Sequence, residues 1–229
     1  MNVAAIVAAA GAGKRLKAGK PKPFIRVMGK PLLAHTLSHL ERSFRFSEIL
    51  VAVHPRRIRE AEALARRYSL ENVRFVAGGK TRAQSVRSAV LASSPESRWV
   101  LIHDAARPMV RGALVRGLLR AAGKTGAAIC AIPATATVKK VDVRRGIALS
   151  TEDRRSLWLA QTPQVFKKAL LLDRYEKLGE KASRCTDEAA LFDGSSVKVR
   201  VVLGDPSNIK VTTPEDLEWF KVYASRHRI

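Results

Sequence analysis

A chain of 229 residues with 46% hydrophobic and 27% charged side chains can bury a full core and is too apolar to be disordered. Its 42 lysines and arginines against 20 acidic residues leave a formal charge of +22, and no apolar run reaches the roughly 20 residues that span a bilayer. Two cysteines, Cys130 and Cys185, lack metal or CxxC spacing, and five scattered histidines give no zinc pattern. Reduced thiols, and no charged leader before the first apolar run, lead us to expect a cytoplasmic protein without a membrane anchor.

The chain opens on an apolar run, Val3–Ala9, which reads as a buried strand. It enters a small-residue turn, Gly11-Ala12-Gly13, with Lys14 and Arg15 beside it and Lys22 between two prolines. Small residues let backbone N–H groups approach an anion, and the adjoining cations add charge, so the segment reads as a phosphate cradle. It lacks the Gly-Lys-Ser/Thr ending of a P-loop and the spacing of a dinucleotide fingerprint. A tight strand-to-helix turn with exposed cations is the simpler alternative.

Further strands are expected at Ile49–Val53, Val73–Val76, Trp99–Ile102, Ala127–Ile132 and Val197–Leu203. Helical spacing marks Leu32–Phe44, Arg57–Tyr68, Arg82–Leu91 and Leu114–Ala122 between them. Thr81 and Gln84 fit a capping box, and Thr213-Pro214-Glu215-Asp216 places a cap, a first-turn proline and two acids in helix-starting order. Alternating strands and helices predict a three-layer α/β fold with a mostly parallel sheet. Residues 135–156 break the rhythm: Val138, Val141 and Val143, then Ile147 and Leu149, flank Arg144-Arg145-Gly146 as a hairpin would. So few apolar residues make such a hairpin marginal alone, so it is expected to project and pair with another subunit. Residues 1–229 otherwise form one expected domain.

Four more segments fall where an α/β sheet places function. Gly78-Gly79 before the capped helix, with Ser85, could read the edge of a base. Asp104 leaves the end of a buried strand ahead of Arg107 and Pro108, a place suited to holding magnesium directly or through water, or else to pairing with Arg107. Ala160–Gln164 and Pro206–Thr212 read as polar loops in front of helices.

In this order the segments resemble the 2-C-methyl-D-erythritol 4-phosphate cytidylyltransferase family. The resemblance rests on A-A-G-x-G-x-R-L at Ala9–Leu16, P-K at Pro21-Lys22, G-G-x-x-R-x-x-S at Gly78–Ser85 and H-D-A-A-R-P at His103–Pro108. It continues through T-P-Q at Thr162–Gln164, T-D-E-A at Thr186–Ala189 and N-I-K-V-T-x-P-E-D at Asn208–Asp216. It implies a Rossmann-like nucleotidyltransferase fold with a projecting β-arm, CTP and methylerythritol phosphate as substrates, Mg²⁺, and a homodimer. By the same resemblance Arg15, Lys22 and Lys210 are catalytic, and Ala9, Ala10, Gly11, Gly79 and Ser85 hold the nucleotide. Asp104, Arg107 and Thr162 bind the acceptor, joined by Thr137 and Arg154 from the neighbouring subunit's arm.

Two positions depart from the family pattern. The arm begins Pro133-Ala134-Thr135-Ala136-Thr137, without the usual acidic neighbour of the threonine, and Lys80 stands where an acid often follows the glycine pair. Two other functions compete: cytidylyl transfer to another polyol phosphate, such as ribitol 5-phosphate, and nucleic-acid binding on the same fold. The cations are spread through most helices, and aromatics are only 6%, which speaks against a specific nucleic-acid platform. The motifs leave no room within these residues for a second fused enzyme.

Overall fold

The computed structural model describes residues 1–11 and 21–227; Gly13, Lys14 and the expected catalytic Arg15 lie outside them. Seven strands form the central sheet, in the order β11 (Arg200–Leu203), β7 (Ala127–Pro133), β10 (Trp158–Lys167), β6 (Trp99–Asp104), β1 (Val3–Ala8), β4 (Glu48–Val53) and β5 (Val73–Ala77). Every pairing is parallel except those of β10, which runs against both β6 and β7. The segment around Ala160–Gln164, expected as a loop, is therefore a strand. Its polar side chains misled the reading because they are buried and hydrogen-bonded rather than solvated.

Strand residues alternate between two cores, as a pleated strand covered on both faces must. Val3, Ala5 and Val7 face one side, where they pack with Leu37 of α1 (Leu32–Ser43), Leu64 of α2 (Ile58–Arg67) and Leu118 of α4 (Gly112–Thr125). Ala4 and Ile6 face the other, with Val86 of α3 (Arg82–Ala92) and Leu171 of α5 (Lys168–Leu178). Phe166 of β10 is fully buried there and stacks on Phe192 with ring centroids 5.4 Å apart. Three layers result, as expected. The last expected strand is shorter at its start than the run Val197–Leu203.

A third, smaller core joins Phe220 and Ala224 of α6 (Pro214–His227) to Val27 of the short ribbon formed by β2 (Arg26–Val27) and β3 (Lys30–Pro31). That contact holds the segment after Lys22 against the body of the protein. Chain direction then places the site. From β1 the chain moves through α1 to β4 on one side, whereas from β5 it returns through α3 to β6 on the other. Reversal of this kind opens a crevice at the carboxyl ends of the central strands.

The expected hairpin is present as β8 (Lys139–Asp142) and β9 (Ile147–Thr151), a separate two-stranded sheet. Gly146 takes φ +67° at its turn and donates its N–H to Asp142 O at 2.8 Å. The Asp142 carboxylate accepts the N–H groups of Arg144 and Arg145, which shapes the loop locally.

Candidate active site

A cavity of about 450 Å³ lies at the carboxyl ends of β1, β5 and β6. Its wall brings together Ala9, Ala10, Gly11, Lys22, Gly79, Ser85, Asp104 and Lys210, eight of the residues expected in the site. Small size at the strand ends is a packing requirement: a Cβ added to Gly78 would stand 2.5 Å from Ala10 Cβ, and one on Gly79 2.6 Å from Gln84 Cβ. The capping box at Thr81 and Gln84 is formed as expected and starts α3 beneath this loop. Ser85 holds the loop closed, accepting the N–H of Gly79 at 3.0 Å and donating to Thr81 O at 2.8 Å.

Asp104 is the one carboxylate among the described wall residues. Its Oδ2 meets Lys210 Nζ at 2.7 Å, and its Oδ1 accepts from Arg82 Nε at 3.1 Å. Pairing with Arg107, the alternative for this carboxylate, is not what the geometry shows. Burial would raise the Asp104 carboxyl, but Arg82 and Lys210 outweigh it and hold the group well below the usual carboxylate range. Asp104 is thus ionised with both oxygens engaged by cations.

The other expected acceptor residues stand behind this wall or away from it. Thr162 sits in the irregular stretch of β10 between Gln161 and Gln164, after which the Thr162–Pro163 peptide is cis. Its Oγ1 accepts the N–H of Asp104 at 3.0 Å and lies 3.1 Å from His103 Nδ1. His103 Nε2 faces the Arg107 carbonyl at 2.9 Å, so Nε2 carries the hydrogen and Nδ1 accepts from the Thr162 hydroxyl. Burial lowers the His103 pKa to about 4, which keeps this relay neutral. Arg107 donates Nη1 to Asn208 O at 2.7 Å and does not line the cavity. Thr137 and Arg154 are exposed at the root of the arm, where Arg154 Nη1 donates to Thr135 O at 2.6 Å.

What brings Lys210 to Asp104 is a set of bonds among segments far apart in sequence. Gln161 Nε2 donates to Asp205 O at 3.0 Å, Asn208 Nδ2 to Thr162 O at 2.8 Å, and Val211 N to Ala106 O at 2.8 Å. The loop ahead of α6 is thereby fastened to β10 and to the turn after β6. Three residues went unassigned in the sequence reading: Arg82, Glu188 and Tyr175. Glu188 is only 1% exposed and accepts Arg82 Nη1 at 2.8 and 2.9 Å. Arg82 and Glu188 both stand in motifs of the sequence, G-G-x-x-R-x-x-S and T-D-E-A, and a physical signal links them: Arg82 occupies the first position of α3, where a helix dipole disfavours a cation that lacks an acidic partner.

Among the described residues, nothing lining the cavity is placed to act as a general base. Ser85 is committed to its loop, and the only carboxylate is saturated by cations. Lys22, Lys80, Arg82 and Lys210 supply positive charge instead. Such a wall can hold phosphates in line and neutralise charge as one phosphate attacks another, which is the work of a nucleotidyltransferase. Residues 3–226 match the model of the 2-C-methyl-D-erythritol 4-phosphate cytidylyltransferase family. A relative of that name from Halalkalibacterium halodurans is 39% identical over 218 residues, 95% of this chain and 94% of its own. The 4-diphosphocytidyl-2C-methyl-D-erythritol synthase structure from Anaerococcus prevotii has a TM-score of 0.84 at 32% identity, covering 98% of this chain and 99% of that one. A 2-C-methyl-D-erythritol 4-phosphate cytidylyltransferase structure from Thermus thermophilus gives 0.78 at 30%, covering 98% and 100%. The chain belongs to the 2-C-methyl-D-erythritol 4-phosphate cytidylyltransferase family.

Proposed function

We propose that the protein transfers the cytidylyl group of CTP to 2-C-methyl-D-erythritol 4-phosphate, forming 4-diphosphocytidyl-2-C-methyl-D-erythritol and releasing pyrophosphate. An oxygen of the acceptor phosphate attacks the α-phosphorus of CTP, and the bond to the bridging oxygen of the leaving pyrophosphate breaks. A phosphate monoester has a second pKa of about 6, so the nucleophile is anionic at neutral pH without a base. The observation that carries this reading is the Asp104–Lys210 pair at 2.7 Å, set in one cavity with the Ala9–Gly11 backbone and Lys22.

In this reading Ala9, Ala10, Gly11, Gly79 and Ser85 enclose the nucleotide. Lys22, with Arg15, meets the charge that develops at the α-phosphate. Lys210, aimed by Asp104, holds the acceptor phosphate. Arg107 and Thr162 act at one remove, through Asn208 and through the Asp104 backbone.

The residues fit a Mg²⁺ that arrives with the triphosphate rather than one held in a protein cage. No three His, Cys, Asp or Glu side chains converge among the described residues, and Mg²⁺ commonly binds substrate phosphates plus one or two carboxylates. Both Asp104 oxygens hold cations, so Asp104 would reach the ion through water. When bound, Mg²⁺ screens the triphosphate and eases departure of pyrophosphate.

The working form in this reading is a homodimer in which Thr137 and Arg154 complete the neighbour's site. Support comes from the arm: Val143 is 88%, Leu149 60% and Ile147 53% exposed, more apolar surface than a lone ribbon accounts for. No helix among the described residues is long and apolar enough to cross a membrane. Cys130 and Cys185 are free thiols, which suits the cytoplasm.

The test is pyrophosphate release with CTP and each of two acceptors, 2-C-methyl-D-erythritol 4-phosphate and ribitol 5-phosphate. Turnover with the first is expected. Its absence alongside turnover with the second would remove the acceptor assignment.

A further inference from the structure

The T-D-E-A segment takes no part in the chemistry above, yet both of its carboxylates reach into the site's framework. Asp187 Oδ1 accepts the N–H of Ala190 at 3.1 Å, and Oδ2 accepts Gln164 Nε2 at 2.7 Å. Glu188 goes further. Both its oxygens take Arg82 Nη1, and the Tyr175 hydroxyl donates to Oε1 at 3.2 Å. Arg82 in turn gives Nε to Asp104 Oδ1, which leaves Oδ2 for Lys210. Tyr175, Glu188, Arg82, Asp104 and Lys210 therefore form one continuous chain from the core to the cavity.

Such an arrangement is a poor way to gain stability. Burying charges is costly, and an apolar cluster of the same volume holds a fold at least as well. Its geometric effect is specific, however. A guanidinium facing a lone carboxylate prefers a two-pronged grip on both oxygens. Glu188 takes Nη1 and Asp104 takes Nε, while the buried Nη2 has no hydrogen-bond partner among the described residues. The Nε–Nη2 fork is therefore kept from closing on both Asp104 oxygens by where Glu188 seats the guanidinium, and the carboxylate keeps its second oxygen turned to Lys210.

We propose that Glu188 is a positioning residue for the transfer reaction: by holding Arg82 it fixes the rotation of Asp104 and thereby the place of the Lys210 ammonium. The proposal rests on the reading that this cavity is where acceptor and CTP react. Without Glu188 the guanidinium is free to turn Nε and the unpartnered Nη2 onto both Asp104 oxygens, and Lys210 loses its partner.

The experiment compares wild type with Glu188→Gln, Arg82→Gln, the double variant and Tyr175→Phe. One readout is steady-state pyrophosphate release, and the other is the acetylation rate of Lys210 under limiting acetic anhydride, followed by mass spectrometry. Glu188→Gln should lower kcat/KM for the acceptor on the order of 10- to 100-fold, as a displaced reacting group does, while KM for CTP stays within about threefold. Lys210 acetylation should rise severalfold, and Tyr175→Phe should show the same changes in smaller degree. The double variant should be no worse than Arg82→Gln, because residues acting as a unit are not additive.

A folded Glu188→Gln protein with kcat/KM within about twofold of wild type, or additive losses in the double variant, overturns the proposal. Should Glu188→Gln fail to fold, the double variant decides, since removing both charges is better tolerated than stranding one. A folded double variant with wild-type rates and wild-type Lys210 reactivity then overturns it. If the wild type releases no pyrophosphate with methylerythritol phosphate, the substrate reading fails. Unchanged Lys210 reactivity in the variants would sink the positioning role independently.

Discussion

The floor of the cavity and the arm are built on opposite terms. On the floor, Asp104 is 6% exposed and its charge is answered within the same chain by Arg82 and Lys210, with Glu188 and Tyr175 behind them. On the arm, β8 and β9 pair only with each other among the described residues, and Val143, Ile147 and Leu149 face solvent. A buried ionic group must be satisfied or it costs the fold several kcal/mol. An exposed ribbon carries no such penalty and can await a partner. The difference teaches that the chain answers the buried Asp104 charge with its own cations, while it leaves the apolar side chains of the arm in solvent.

The strongest way to break the comparison is to inactivate each region separately. Lys22→Ala should cut pyrophosphate release on the order of 100-fold or more, the typical loss for one charge-stabilising donor, with circular dichroism unchanged. Arg154→Ala should also be poorly active. Mixing the two inactive proteins should restore turnover, because mixed dimers contain one site with both residues intact. Verified mixed dimers without activity would show that the arm does not serve the neighbour's site.

A second measurement separates the regions by acid. His103 has its pKa depressed to about 4 by burial, against about 6.5 in an unfolded chain. Between those values the unfolded chain binds a proton that the folded one refuses, so stability falls as pH drops from about 6.5 to 4. The loss from this group should be on the order of 3 kcal/mol, read from urea unfolding at several pH values. Replacing His103 with Gln should shrink that dependence without abolishing it, since burial also lowers His39, to about 4, and His35. An unchanged slope would mean His103 is not the buried neutral group that its contacts to Thr162 and Arg107 describe.

The smallest expected effect sharpens the arm. Leu149→Ser should move unfolding stability by no more than about 0.5 kcal/mol, as exposed substitutions do, while weakening self-association in sedimentation equilibrium. A large loss of stability in the monomer would place Leu149 in a core of its own chain instead.

Much of the fold was legible because hydrophobic period and helix caps are local. The expected helix Arg82–Leu91 ends one residue from the α3 that forms, and the capping box was readable from two side chains. The turn of the arm was readable too, since a glycine with positive φ closes it. Strand β10 was not, because Gln161, Thr162 and Gln164 are polar residues with interior partners more than 20 positions away. Helix α5 is expected only as a helix somewhere after Gln164, its bounds unread, because adjacent Leu170, Leu171 and Leu172 blur the one-sided period that marks a surface helix.

By itself the sequence determined the layer architecture and which segments carry charge toward the cavity, since both follow from residue type at short spacing. Only the tertiary structure decided which cation Asp104 meets. Arg107 is three residues away, and yet Arg82 and Lys210, 22 and 106 residues away, are its partners. Parallel strands delivered by crossovers bring their carboxyl ends together whatever their distance along the chain. Pairing there is settled by which side chains share one buried corner, and Glu188, a motif residue to which the sequence attaches no role, occupies that corner with Arg82 in its grip.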